Sequence, residues 1–173
     1  MVGVDLDVWP RKRQVFVFSC RSEIPNCPLV FDPSGLYFRP EGNFFLTGRA
    51  PGEGEPDPDS HDLEVDYDQF ENELWPLLAA RVPAFEAIKL VNAWAGTYAF
   101  NALDQNAILG PAETCENFLL ANGFSGHGLQ HSPAVGRAIN ELITYGEYRA
   151  INLTRFGHRR FAANKPLLEK VVY

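Results

Sequence analysis

Cysteine is scarce and unpaired in this sequence: Cys20, Cys27 and Cys115 make an odd count with no C-x-x-C pair. That excludes a paired disulfide framework and a cysteine-built zinc site, and it points to buried thiols in a reducing compartment. Long apolar runs are missing too. No stretch approaches the roughly 20 residues that span a bilayer. The opening MVGVDLDVWP has neither the basic patch nor the apolar segment of a targeting peptide, so any address is expected outside this chain. Positive charge is absent over one long segment: Gly52 to Glu73 carries ten acidic residues and no Lys or Arg. With a net charge of −7, the chain is a poor nucleic-acid ligand, because phosphate neutralisation needs clustered basic residues. The locally basic RFGHRRFAANK, 155–165, reads as a solvated or intramolecular surface. No internal repeat or coiled coil is present.

What is there is an α+β pattern dominated by strands. RQVFVFSC (Arg13–Cys20) is a buried strand and PLVFD a shorter one. GLYFRPEGNFFLTG reads as two strands around a turn at Pro40-Glu41-Gly42. RAPGEGEPDPDSHD (49–62) lacks periodicity and is an exposed loop. YDQFENELWPLLAARV then takes the helical period, with Phe70, Leu74, Leu77, Leu78 and Val82 on one face. Pro76 should kink or divide that helix. KLVNAWAGTYAF is a strand again, and NAILGP and CENFLLANG are two more joined by a turn. A helix follows from about Ser132 to Thr144, with Ser132 as N-cap, Pro133 in the first turn and Gly146 as its stop. The tail beyond it is irregular.

Between the last strand and that helix lies NGFSGHGLQHSP, with glycines at 123, 126 and 128. Strand, glycine loop and helix is the order in which backbone N–H groups and a helix N-terminus bind anions. No Gly-Lys-Ser/Thr follows, so this is not a P-loop. The glycine spacing also reverses the dinucleotide fingerprint. Spacing alone leaves a ligand-binding loop and a tight structural turn both open. His127 and His131 stand four apart, but Gly128 intervenes and no nearby carboxylate completes a metal set; no metal is expected, and no catalytic residue is assigned.

GFSGHGLQHSPAVGRAINELI resembles the C-terminal part of the FAD-dependent amine and amino-acid oxidoreductases (the DAO family). PRKRQVFVF, SGLYFRPEGNFFLTGR, WPLLAARVPAFEAIKLVNAWAGTYAFNALDQNAILGP and INLTRF resemble the same region in order. The resemblance implies an α+β fold: a mostly antiparallel substrate-domain sheet, then a strand, glycine loop and helix returning to the flavin domain. It implies a substrate-domain part over 1–110, the returning segment over 111–146 and a tail over 147–173. The dinucleotide-binding half that carries G-x-G-x-x-G has no counterpart here.

By the same resemblance, Phe124, Gly126, His127, Gly128, Leu129 and Gln130 line the flavin, and Thr97 and Tyr98 flank its ring on another side. Sarcosine-oxidase relatives attach FAD through a cysteine where this chain has Thr97, so FAD is expected to be non-covalent and held only with the missing half. Substrate-carboxylate cations of relatives are replaced by Gln130 and Tyr98, which sets amino-acid oxidation in question. The branch resembled implies a mitochondrial protein on the matrix side of the inner membrane, peripherally associated, with respiratory complex I subunits or assembly intermediates as partners. The expected function is the C-terminal portion of an FAD-dependent oxidoreductase, inactive alone and involved in complex I assembly. The alternative is a non-catalytic assembly protein that uses the flavoprotein fold as scaffold. Without its other half the chain should expose apolar surface and aggregate.

Overall fold

The structure, a computed structural model, describes residues 3–52 and 54–169. It is α+β and divides into two compact units, one over Arg11–Thr97 and the other joining the N-terminal ten residues to the chain from Tyr98 onward.

The Arg11–Thr97 unit is built on a five-stranded sheet. Its strands are β1 (Val8–Cys20), β2 (Val30–Phe31), β3 (Leu36–Glu41), β4 (Phe44–Arg49) and β5 (Ile88–Asn101), in the order β2-β3-β4-β1-β5. The first residues of β1 and the last of β5 belong to the other unit. β3 and β4 form the expected hairpin, but its two-residue turn is Gly42-Asn43, with Glu41 still paired to Phe44. Alternation along β1 and β3 sends Phe16, Phe18, Leu36 and Phe38 to one buried face. Phe85 closes that core, with its ring edge-on to Phe18, Phe38 and Phe45 at 5.0, 5.3 and 5.1 Å between centroids. Trp75 donates its indole N–H to the Phe85 carbonyl at 3.0 Å, which fixes the short 3-10 turn Pro83–Glu86.

The helical run covers this core with Phe70, Leu74 and Leu78, as its period requires. It comprises α1 (Tyr67–Gln69), a π turn (Phe70–Leu74) and α2 (Trp75–Arg81) without a break. Pro76 does not divide it. Proline lacks an N–H and its ring crowds the carbonyl four residues back. Here the preceding turn widens instead, and the Trp75 N–H reaches the Phe70 carbonyl. The acidic loop is not merely solvated. Arg11 pairs with Asp59, Arg13 with Asp57 at 2.8 Å, Lys12 with Asp62 at 2.6 Å, and Arg49 with Glu55 at 2.6 Å. The basic start of β1 thus straps down the segment whose own composition offers no cation.

The second unit has a thinner apolar centre. β6 (Ile108–Ala112) and β7 (Cys115–Asn122) form a two-stranded antiparallel sheet. Ile108, Ala112 and Leu120 pack there with Val4, Leu6, Val8, Cys115 and Phe161. Helix α3 spans Gly128–Tyr145 and ends on Gly146, whose N–H bonds to the Leu142 carbonyl at 3.0 Å. A short helix, α4 (Arg159–Ala162), lies in the tail. No helix among the described residues is long and apolar enough to cross a membrane.

Candidate functional site

The glycine junction is where the structure departs most usefully from the sequence expectation. α3 begins at Gly128, not after Ser132, so Ser132 is not the N-cap and Pro133 lies inside the helix. A proline there leaves the carbonyl of Leu129 without its backbone donor. The Ser132 hydroxyl supplies the replacement at 2.8 Å. What looked like a start signal is therefore a local repair. The consequence is that Gly128, Leu129 and Gln130 form the first helical turn, where backbone N–H groups have no intrahelical acceptor. His127 sits at the N-cap position without a side-chain capping bond, and the first turn contains no acidic residue. The positive end of the helix dipole is left open.

The approach to that turn is tightly specified. Gly123, Ser125 and Gly126 all take positive φ, at 67°, 47° and 93°. At Gly123 an added Cβ would lie 3.2 Å from the Cβ of Asn101 and 3.3 Å from Val8. Two constraints meet there: a left-handed backbone and no room for a side chain. Ser125 is fully buried. Its N–H donates to the Ala99 carbonyl at 3.0 Å, and its hydroxyl oxygen accepts the Asn101 N–H at 3.0 Å. The His127 N–H then bonds to the Phe124 carbonyl at 2.9 Å. These bonds lash the loop to the end of β5.

Of the residues named from sequence, the structure brings together Tyr98 and the Phe124–Gln130 segment, since Ala99 next to Tyr98 accepts the Ser125 N–H. Thr97 belongs to the other unit. Gly126, Leu129 and Gln130 are exposed, while Phe124, His127 and Gly128 are half-buried. His127 and His131 stack at 5.7 Å between centroids. No group of three or more potential metal ligands occurs among the described residues. A cleft of about 710 Å³ in the same unit is lined by Leu109, Glu113, Tyr148, His158 and Arg159, and includes none of the glycine loop.

Sequence reading missed Ser125, Asn101, Asp104 and Arg160. Asp104 is fully buried and Arg160 is 6% exposed. The guanidinium donates to Asp104 through Nε at 2.7 Å and a terminal nitrogen at 3.0 Å. Burial pushes the Asp104 carboxyl up. Its hydrogen bonds from Arg160 and from the backbone of Leu167 and Asn106 outweigh that and hold it below the usual aspartate range. The clue was available in Asn101-Ala-Leu-Asp104-Gln-Asn106, three Asx residues within six, a spacing suited to side-chain-to-backbone turns. Nothing local announced that Arg160 would be their partner.

An α+β unit whose last strand turns through a glycine loop into a helix N-terminus without a side-chain cap has a geometry suited to an anionic group. The chain belongs to the FAD dependent oxidoreductase family, DAO, whose family model matches residues 1–142. It is 49% identical to FAD-dependent oxidoreductase domain-containing protein 1 of Xenopus laevis, over 97% of this chain and 34% of that protein. The Drosophila melanogaster homologue is 36% identical over 98% of this chain and 33% of its own length. The chain thus spans about a third of the curated relatives it matches. Among solved structures it resembles L-proline dehydrogenase from P. horikoshii, with a TM-score of 0.78 and 25% identity, over 95% of this chain and 43% of that one. Glycine oxidase from Geobacillus kaustophilus gives 0.77 and 25%, over 90% and 40%.

The residues present fit one edge of an isoalloxazine ring. Backbone donors and the open helix dipole suit its carbonyl-bearing, electron-rich side, and no carboxylate in the loop opposes them.

Proposed function

We propose that this chain supplies the substrate-facing sheet and one flavin wall of an amine- or amino-acid-type FAD-dependent oxidoreductase. FAD is held non-covalently and only together with a dinucleotide-binding segment. The observation that carries this reading is the α3 N-terminus opening directly off the glycine loop, with no capping side chain and no acidic first-turn residue. When bound, FAD supplies the acceptor for a hydride taken from a carbon beside nitrogen. The chain's own part is electrostatic. The N–H groups of Gly128, Leu129 and Gln130 would hold the electron-rich edge of the ring, and being fixed beforehand they would need no reorganisation. Ser125 and Asn101 keep that turn in place. Thr97, with no thiol, offers no covalent attachment.

Leu129 is 88% exposed, so Leu129→Asp should fold normally while setting a negative charge against the open helix end. In the full-length protein, FAD affinity is expected to fall roughly fivefold relative to Leu129→Asn, with slower flavin reduction. Equal affinity and equal spectra for the two variants would sink the proposal.

A second reading is favoured by one observation: the segment 122–131 contains neither Lys nor Arg. A substrate carboxylate in a dry site needs charge-assisted partners, and Gln130 and Tyr98 supply no charge. On this reading the fold serves as a scaffold in respiratory complex I assembly, on the matrix face of the mitochondrial inner membrane. Flavin reduction by simple amines in the full-length protein would count against it. Co-purification with complex I intermediates, without amine-driven reduction, would favour it.

A further inference from the structure

We infer that the buried Asp104–Arg160 pair positions the glycine loop, carrying the seating of the 157–167 tail through Asn101 to Ser125 and so to the donors that open α3. The inference rests on the flavin-wall reading above, and it names residues that act through others.

The pair is saturated with partners. One Asp104 carboxylate oxygen accepts from Arg160 Nε and from the Leu167 N–H at 2.9 Å. The other accepts from a terminal Arg160 nitrogen, from Asn101 Nδ2 at 2.8 Å and from the Asn106 N–H at 3.2 Å. The same terminal nitrogen also bonds to the carbonyls of Asn106 and Ala107, and the other terminal nitrogen to those of Phe156 and Gly157. Buried ion pairs contribute little net stability compared with apolar packing, and in some proteins they serve instead to fix one arrangement. Here the arrangement fixed is identifiable. Asn101 is held at its side chain by Asp104 and by the Asn106 carbonyl, and its Oδ1 accepts the Leu103 N–H at 3.1 Å. Its one remaining donor, the backbone N–H, goes to Ser125.

Ser125 is the sensitive receiver. A buried non-glycine residue at φ 47° sits uphill and persists only where its surroundings over-determine it. Those surroundings are the two bonds to the end of β5, at Ala99 and Asn101. If Asn101 shifts, Ser125 can relax, and the Phe124–His127 turn that launches α3 goes with it. Displacement of a binding group by an ångström is enough to matter for binding and chemistry.

The test uses full-length protein purified with FAD, comparing wild type, Arg160→Met, Ser125→Gly, their double variant, and Leu78→Ala as a destabilised control in the other unit. Arg160→Met is expected to lose roughly tenfold or more in FAD affinity and to shift the visible absorption of the bound flavin. Ser125→Gly removes the hydroxyl without touching the tail and should reproduce the spectral shift. The double variant should lose no more than the worse single one, because both act on one line of contacts. Leu78→Ala should bind FAD like wild type despite its lower melting temperature. A flavin-bearing wild type whose Arg160→Met and Ser125→Gly variants match Leu78→Ala in affinity and spectrum overturns this inference alone. A wild type that takes up no FAD overturns the flavin-wall reading and this one together. Should Arg160→Met fail to fold, Ser125→Gly with unchanged affinity and spectrum is sufficient to overturn it.

Discussion

The two units solve the same problem with different materials. The Arg11–Thr97 unit is closed by aromatic rings: Phe16, Phe18, Phe38, Phe70 and Phe85 are all buried, and its charges lie outside, strapping the acidic loop to β1. Among the described residues, the other unit has a smaller apolar cluster around Ile108, Ala112 and Leu120, and it also buries the Asp104–Arg160 ion pair with its hydrogen-bond partners. Apolar burial is non-directional and tolerant of small shifts. A polar network demands particular atoms at particular distances. The unit that carries the glycine loop is thus the one held by the more exacting interactions.

The contrast can be broken most forcefully on the aromatic side. Phe85→Ala removes the ring that three other phenylalanines contact, and should cost about 4 kcal/mol, read as a lowered urea midpoint. Hydrogen exchange should rise across β3 and β4 while the amides of β6 and β7 stay protected.

Acid should produce the opposite pattern. Asp104 is held below the usual carboxylate range by Arg160 and backbone donors against the push of burial. Glu141 is held low by the backbone N–H groups of Ala150 and Arg149, with Arg137 adding to them. A group whose folded-state pKa is depressed contributes stability that is complete above its unfolded value and disappears as pH falls through the lowered one. The glycine-loop unit should therefore hold steady down to about pH 5 and lose protection progressively below that, with the largest loss under about pH 4. Asp32, Glu55 and Asp62 are also lowered, but at the surface of the aromatic unit, so acid should loosen its straps and leave its core. Simultaneous loss of both units on acid titration, followed by hydrogen exchange, would erase the distinction.

The smallest expected effect is local. Asp66 caps α1 through the Asp68 N–H at 3.0 Å. Asp66→Ala should cost about 1 kcal/mol of thermal stability and leave the glycine-loop unit untouched.

Leu129, Ile143 and Tyr145 are exposed on α3, and β6–β7 forms a two-stranded sheet. Exposed apolar surface of this kind is expected to drive aggregation, checked by light scattering of this chain at increasing concentration.

Periodicity made much of the fold legible. The alternation in Arg13–Cys20 and the 3.6-residue spacing of Phe70, Leu74 and Leu78 report which side chains face a core, and a core is what buries them. Punctuation was less dependable. Ser132-Pro133 has the chemistry of a helix start, yet the helix begins at Gly128, because the bonds from Ser125 and His127 set its origin and the Ser132 hydroxyl mends the gap at Pro133. Pro76 likewise widens a turn rather than ending one. Local signals state what a residue tolerates, and neighbours in space choose among the options.

The glycine loop shows the division most clearly. From residue types and order alone came the strands, the amphipathic helical run, the glycine junction and its kinship with flavoproteins, since these depend on patterns within a few turns or strands of chain. Only the tertiary structure supplied Asp104 with Arg160, 56 positions away, and tied that pair through Asn101 to a serine held in a left-handed backbone. A buried charge must be paired, but no local pattern says with whom. That choice belongs to the folded chain, which alone brings distant donors and acceptors within reach.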